Sequence, residues 1–135
     1  MANGEGVEAR TIALQFLNAV ASRDCDRILG LCSDQVVFEW PMVNERVTDP
    51  EVFRAQVAPV LAPMEGLTFH DVVVDDMSSP NEVTLRYRGS ATMSTTGRPY
   101  RQTYISQIHV DEGKVTLFRE YYNPAVLSEA LTPET

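Results

Sequence analysis

The chain is 135 residues long and carries 19 acidic against 11 basic side chains, a formal net charge of -8. The basic residues are scattered along it, which argues against a phosphate-binding surface and against nucleic acid as a partner. The length suits one small domain spanning residues 1–135, with an ordered core expected over about residues 7–131 and no room for a second unit.

From about Val7 to Ser22 the residues Ile12, Ala13, Phe16, Leu17 and Val20 recur at three- and four-residue spacing. That period predicts an amphipathic helix with Phe16 on its buried stripe. Asp24 is suited to cap a second, short helix carrying Ile28, Leu29 and Leu31. Cys25 and Cys32 then share a face two turns apart, too widely spaced for an easy disulfide, and are expected to be reduced packing residues. Gln35 to Trp40 reads as a short strand ended by Pro41, with Trp40 as either a lid or ordinary core. Asp49 as cap and Pro50 at the first helical position, where a missing N–H costs nothing, start a third helix running to about Leu61. Pro59 is a possible kink. The stripe Val52, Phe53, Gln56, Val57, Val60 and Met64 holds one polar member, Gln56, and a buried amide there must be hydrogen-bonded to structure or to a ligand.

From Leu67 the period changes to two. Leu67–Asp75, Glu82–Met93, Tyr100–Val110 and Val115–Tyr122 are predicted strands, the last bounded by Pro124 as a breaker, and their short turns imply antiparallel pairing. In the second of these, Val83, Leu85, Tyr87, Gly89, Ala91 and Met93 form the apolar face, so the Tyr87 hydroxyl is expected to point inward. Gly89 and Ala91 beside it would leave room for a ligand, or let the sheet bend. In the last strand, alternation places Val115, Leu117, Arg119 and Tyr121 on one face and Thr116, Phe118, Glu120 and Tyr122 on the other. A carboxyl covered by aromatic rings resists ionising, and its pKa rises toward the range useful for proton transfer. Glu120 is therefore the first candidate for chemistry, against the alternative that it is a solvated strand residue. His70, next to Phe69 and Asp71, is a reserve candidate, although isolated histidines are more often structural or superficial.

Other chemistries lack their signatures. His70 and His109 are far apart and no cluster has metal-ligand spacing, so no metal is expected. There is no phosphate loop, nucleotide fingerprint or nucleophile elbow, so no cofactor is expected either. No apolar run reaches the ~20 residues of a membrane span, and Met1 to Gly6 does not read as a signal peptide. A cytoplasmic protein without membrane contact is expected.

The run Arg119-Glu120-Tyr121-Tyr122-Asn123-Pro124, with Asp111 to Val115 before it, Val126 to Leu131 after it and Phe38-Glu39-Trp40 upstream, resembles the SnoaL-like proteins of the nuclear-transport-factor-2-like superfamily. The nearest branch is that of the phenazine-biosynthesis condensation and cyclisation proteins. The resemblance implies a cone-shaped α+β barrel, a curved mixed or antiparallel sheet packed on three helices, with a small-molecule pocket and dimerisation through the outer sheet face. It makes Glu120 the pocket acid and puts Gln56 where the branch carries a histidine. Trp40 stands where ketosteroid isomerases of the superfamily keep their base, so that base is missing. The epoxide hydrolases' arginine–aspartate pair has no aspartate here, which disfavours epoxide hydrolysis. The expectation is a cofactor-independent isomerase, cyclase or dehydratase for a small hydrophobic or polyketide-like molecule of secondary metabolism. Glu120 would move the proton, and Trp40, Gln56, Tyr87, Tyr122, Phe16 and Phe118 would bound the substrate. The alternative is a non-catalytic binding or assembly protein of the same fold.

Overall fold

The structure, a computed structural model, describes residues 2–134. In chain order it comprises α1 (Ala2–Ala21), α2 (Cys25–Gly30), β1 (Cys32–Trp40), a 3-10 turn (Pro41–Val43), β2 (Glu45–Val47), α3 (Pro50–Leu61), β3 (Met64–Asp76), β4 (Glu82–Met93), β5 (Pro99–Asp111), β6 (Lys114–Tyr121) and α4 (Pro124–Leu131). The six strands form one sheet in the order β2-β1-β6-β5-β4-β3. Every neighbouring pair is antiparallel except β1 with β6, which run parallel. The fold is therefore α+β with a mixed sheet. It departs from the expected barrel, because β2 and β3 remain as two unjoined edges.

Local chemistry places the helices where the caps predict. The Asp24 carboxylate accepts from the N–H groups of Asp26 and Arg27, and that of Asp49 from Glu51. Such caps satisfy donors that a helix start would otherwise leave open. The third helix runs through Pro59 to Leu61 without a break. A fourth helix was not expected: Pro124, read as a breaker, sits at the first helical position behind the cap Asn123, whose side chain accepts from the Ala125 N–H. The first helix starts at Ala2, ahead of the expected Val7, while the disorder expected of Met1 and Thr135 lies outside the described residues.

Cys32 is the other local correction. It lies on β1 rather than on a helix, and its thiol donates to the Ile28 carbonyl at 3.3 Å. Burial pushes that thiol up to about 12, which leaves it an inert packing group.

The core lies between α1 and the inner sheet face. Ala9, Ala13, Phe16 and Leu17 of α1 meet an inner face on which β5 alternates without interruption: Tyr100, Gln102, Tyr104, Ser106, Ile108 and Val110 are all buried. On β6 the alternation slips. His109 faces Leu117 but Val110 faces Val115, so Thr116 is an extra residue, a bulge. Val115 and Phe118, three apart, are therefore both buried on the inner side, whereas unbroken alternation assigned Val115 to the outer face. Beyond the bulge the phase is as expected, with Glu120 opposite Ser106.

Gly89 is also explained differently from the expectation. A Cβ there would lie 2.7 Å from Tyr104 Cε2 and 3.2 Å from Phe69 Cε1, so its space is taken by rings of the protein, not left for a ligand. Gly89→Ala should therefore lower stability by about 1–3 kcal/mol through overpacking, read as a fall in the denaturant midpoint at unchanged slope.

Candidate functional site

Between the inner face of the sheet and the helices lies a cavity of about 450 Å³. Phe16 enters it from α1, Trp40 from β1, Gln56 from α3, Phe118 and Glu120 from β6, and Tyr122 from the link to α4. These are six of the residues expected from sequence. Tyr87 does not reach the wall. It stands behind Glu120, its hydroxyl donating to Glu120 Oε2 at 2.9 Å and lying 2.6 Å from Ser106 Oγ. His70 is far from this arrangement: exposed on β3, it contacts Ser90 Oγ at 2.8 Å and Asp71 Oδ2 at 3.2 Å. Gln56 differs from its expectation as well. It is exposed at the rim, so water satisfies its amide and no structural partner is needed.

Sequence reading missed Tyr100 and Tyr104, which line the cavity from β5 with hydroxyls 2.6 Å apart. The period-two pattern of Tyr100, Gln102, Tyr104 and Ser106 was the available signal, but the two polar side chains among the four, Gln102 and Ser106, blur it. Gln102, buried beside them, clamps the exit of β6: its Nε2 donates to the Asn123 carbonyl at 2.9 Å and its Oε1 accepts from the Asn123 N–H at 3.1 Å. That pair fixes the residue that caps α4 and so seats Leu127 on the cavity wall.

The electrostatics follow from enclosure. Loss of water pushes the Glu120 carboxyl up from 4.5 to about 7, and hydrogen bonding from Tyr87, then from the Trp40 indole, pulls the other way. Burial, and then the Glu120 charge, raise Tyr87 well above its ordinary value. Burial pushes Tyr100 up to about 12 and raises Tyr104 further. Among the described residues lining the cavity only Glu120 therefore shifts into the neutral range. The Tyr87 proton goes to Glu120, so Ser106 must donate to the Tyr87 oxygen, which sets a directed chain from Ser106 through Tyr87 to Glu120. Oε2 is thereby held, and Oε1 is left for the Trp40 indole or a substrate.

The SnoaL-like domain pattern matches residues 13–118, most of the chain. This chain belongs to the SnoaL-like family. It is 26% identical over 120 residues to the Bacillus subtilis (strain 168) protein YesE, covering 86% of this chain and 82% of that one. Its fold is similar to a Bacillus subtilis structure named "Putative Isomerase", at TM-score 0.83 and 25% identity over 97% of this chain and 99% of that one. A phenazine biosynthesis-related protein of Pseudomonas aeruginosa shares the fold at TM-score 0.81, with 15% identity over 99% and 91% of the two chains. A Xanthomonas campestris structure named "putative polyketide cyclase" does so at 0.79, with 18% identity over 95% and 99%. The SnoaL-like chain thus has the nuclear-transport-factor-2-like fold anticipated from its carboxy-terminal motif. No described helix is long and apolar enough to cross a membrane.

Tyr87→Phe tests the directed chain in this SnoaL-like site. Without its donor the Glu120 carboxyl should titrate above about 7, visible in the carboxyl carbon shift of Glu120. Ser106 loses its partner in a fully buried setting, and stability should fall by about 1–3 kcal/mol.

Proposed function

We propose that this SnoaL-like protein is a cofactor-independent acid/base enzyme that isomerises, cyclises or dehydrates a small hydrophobic molecule, with Glu120 as its proton carrier. The observation that carries the reading is a buried carboxyl on the wall of an aromatic cavity, held at one oxygen by Tyr87 and pushed to about 7. A group titrating there is present in both forms at neutral pH. It takes a proton from carbon or oxygen readily and returns it readily at another position. Isomerisation, ring closure and loss of water all need such a two-way transfer.

Developing negative charge on the substrate has donors within the same wall. The Tyr100 and Tyr104 hydroxyls are 2.6 Å apart; one proton joins them, and the second is free to point at a substrate oxygen. Both stay protonated at neutral pH, and fixed donors in a dry site stabilise an oxyanion far better than water does. Gln56 at the rim is a further donor, placed where a substrate's outer end would lie. Rings of Phe16, Trp40, Phe118 and Tyr122 exclude water and orient an apolar body. The named isomerase and cyclase neighbours support the reaction class. The Pseudomonas aeruginosa neighbour's phenazine-related name supports a place in secondary metabolism.

Glu120→Gln keeps the volume and removes the titratable proton. Turnover of a responsive substrate should fall by about 10²- to 10⁴-fold, and the limb of the kcat/KM profile near pH 7 should vanish. Stability gives an independent reading. The folded carboxyl holds a proton that the unfolded chain has lost between pH 4.5 and about 7. Its contribution is full below the lower value, declines as pH rises and is lost above the upper one. The Gln variant should lack that decline and should match or exceed the parent at pH 8. Full turnover by Glu120→Gln would put the chemistry on another group, and a parent that turns over no substrate of this class would leave a binding protein.

The expected homodimer is also part of this proposal. On the outer sheet face Val73, Arg86, Ile105 and Tyr121 are successive cross-strand neighbours, and Val73, Ile105 and Tyr121 are exposed apolar groups. A second copy is their natural cover. Sedimentation should give a dimer at micromolar concentration and Ile105→Arg a monomer; a monomeric parent removes the dimer from the proposal.

A further inference from the structure

The ligand class follows from how strand alternation sorts charge around the cavity. In β2, β1 and β6, which lie side by side, Trp40 faces Glu45, and Glu39 faces Arg46 on one side and Arg119 on the other. The inward members are Trp40, Glu45 and Glu120; the outward ones are Glu39, Arg46 and Arg119. Outside, Arg119 Nε donates to Glu39 Oε1 at 2.8 Å and Arg46 lies 3.9 Å from the same carboxylate. Both neighbouring cations are thus tied to the far face. Among the described residues, no Lys, Arg or His lines the cavity, whereas two carboxyls do.

We propose that the cavity selects an organic cation, a tertiary amine or quaternary ammonium on an apolar body, as its substrate class. This rests on the cavity being the substrate site. An anion would meet the enclosed Glu120 and, at the exposed lip, Glu45, with no counter-charge among the described lining residues, and like charges repel. A cation meets the opposite. The rings of Trp40, Phe53 and Tyr122 line the cavity, and aromatic walls attract a cation through their ring quadrupoles. An alkylated ammonium is weakly hydrated and loses little on entering such a site, so its attraction to the carboxyls is not cancelled by desolvation. Val43 and Val60, both exposed on the cavity's lip, suit the apolar body.

The assignment has a pH signature. Facing Glu120 are Tyr87 from β4, Tyr100 and Tyr104 from β5, Trp40 from β1 and Tyr122 beyond its own strand; Glu45 of β2 shares the cavity, and Arg119 with Glu39 lies on the other face. The four tyrosines are all raised and stay neutral, so the charge that a cation senses changes as Glu120 titrates near pH 7. Cation affinity should rise with pH across that range, and that of a neutral acceptor should not.

The test compares phenyltrimethylammonium with its uncharged isostere tert-butylbenzene and with benzoate, following the fluorescence of Trp40, the single tryptophan of the chain. At pH 8.5 the cation should bind about tenfold more tightly than the isostere, and benzoate more weakly than either. Between pH 8.5 and 5.5 cation affinity should fall several-fold while the isostere's stays level. Glu120→Gln should abolish that pH dependence. Glu45→Gln, at an exposed position, should weaken the cation alone. Equal binding of cation and isostere at pH 8.5, tighter binding of benzoate, or no cation binding at millimolar concentration overturns the assignment. None of these readouts involves turnover, so cation selection fails or stands separately from the acid/base reading.

Discussion

One carboxyl held on the inner face of a sheet, among rings and hydroxyls with no cation to neutralise it, is the constraint on which the site depends. An enclosed glutamate of this kind avoids the cost of an unpaired buried charge by keeping its proton, which is why its pKa rises. The surroundings allow the ionised form without demanding it. Tyr87 supplies a hydrogen bond to the charged state, Ser106 orients Tyr87, and Ser106 stands opposite Glu120 across the β5–β6 pairing. Three strands are thus committed to holding one oxygen in place. Such a group is poised between forms at neutral pH, the property that proton transfer needs.

The bulge at Thr116 decides where that acid goes. Without the extra residue, burying Val115 would put Leu117 and Arg119 inside and turn Phe118 and Glu120 out. A one-residue slip would then deliver a guanidinium to the cavity and the carboxyl to the outer face. With the bulge, both Val115 and Phe118 pack inward, and Arg119 is free to join Glu39 and Gln107 outside, at 2.8 Å from each. The charge pattern of the cavity is therefore a consequence of strand phase as much as of composition.

Much of this was legible in the sequence, and the failures have physical causes. Asp49-Pro50 announced a helix because a cap and a proline that needs no N–H partner agree; Asn123-Pro124 carries the same signal, but the preceding strand made its proline look like a terminator. The inward phase of Tyr87 and Glu120 was legible from alternation, since both lie in regular stretches. Val115 was not, because a bulge leaves no mark in a pattern of apolar and polar residues. Tyr87 was placed on the wall although it lies behind Glu120, since alternation gives a direction but not a depth. Gln56 was on the correct helix face, yet α3 sits at the lip, where that face is open. The parallel β1–β6 pairing lay beyond local pattern altogether, since it joins strands separated by four others.

Gly89 shows how the tyrosines missed from sequence become part of the same device. Its lack of a side chain lets Tyr104 lie stacked on Tyr87 at a centroid distance of 5.1 Å, with Phe69 edge-on to both. Tyr87 bonds to the acid, and Tyr104, bonded to Tyr100, faces the cavity. Packing the two rings together couples the geometry of the Glu120 carboxyl to that of the Tyr100 and Tyr104 hydroxyls on the cavity wall. A disturbance at Gly89 would therefore reach both halves of the site, even though Gly89 itself does not line the cavity. The position that leaves no room for a ligand is what lets the groups around a ligand hold their places.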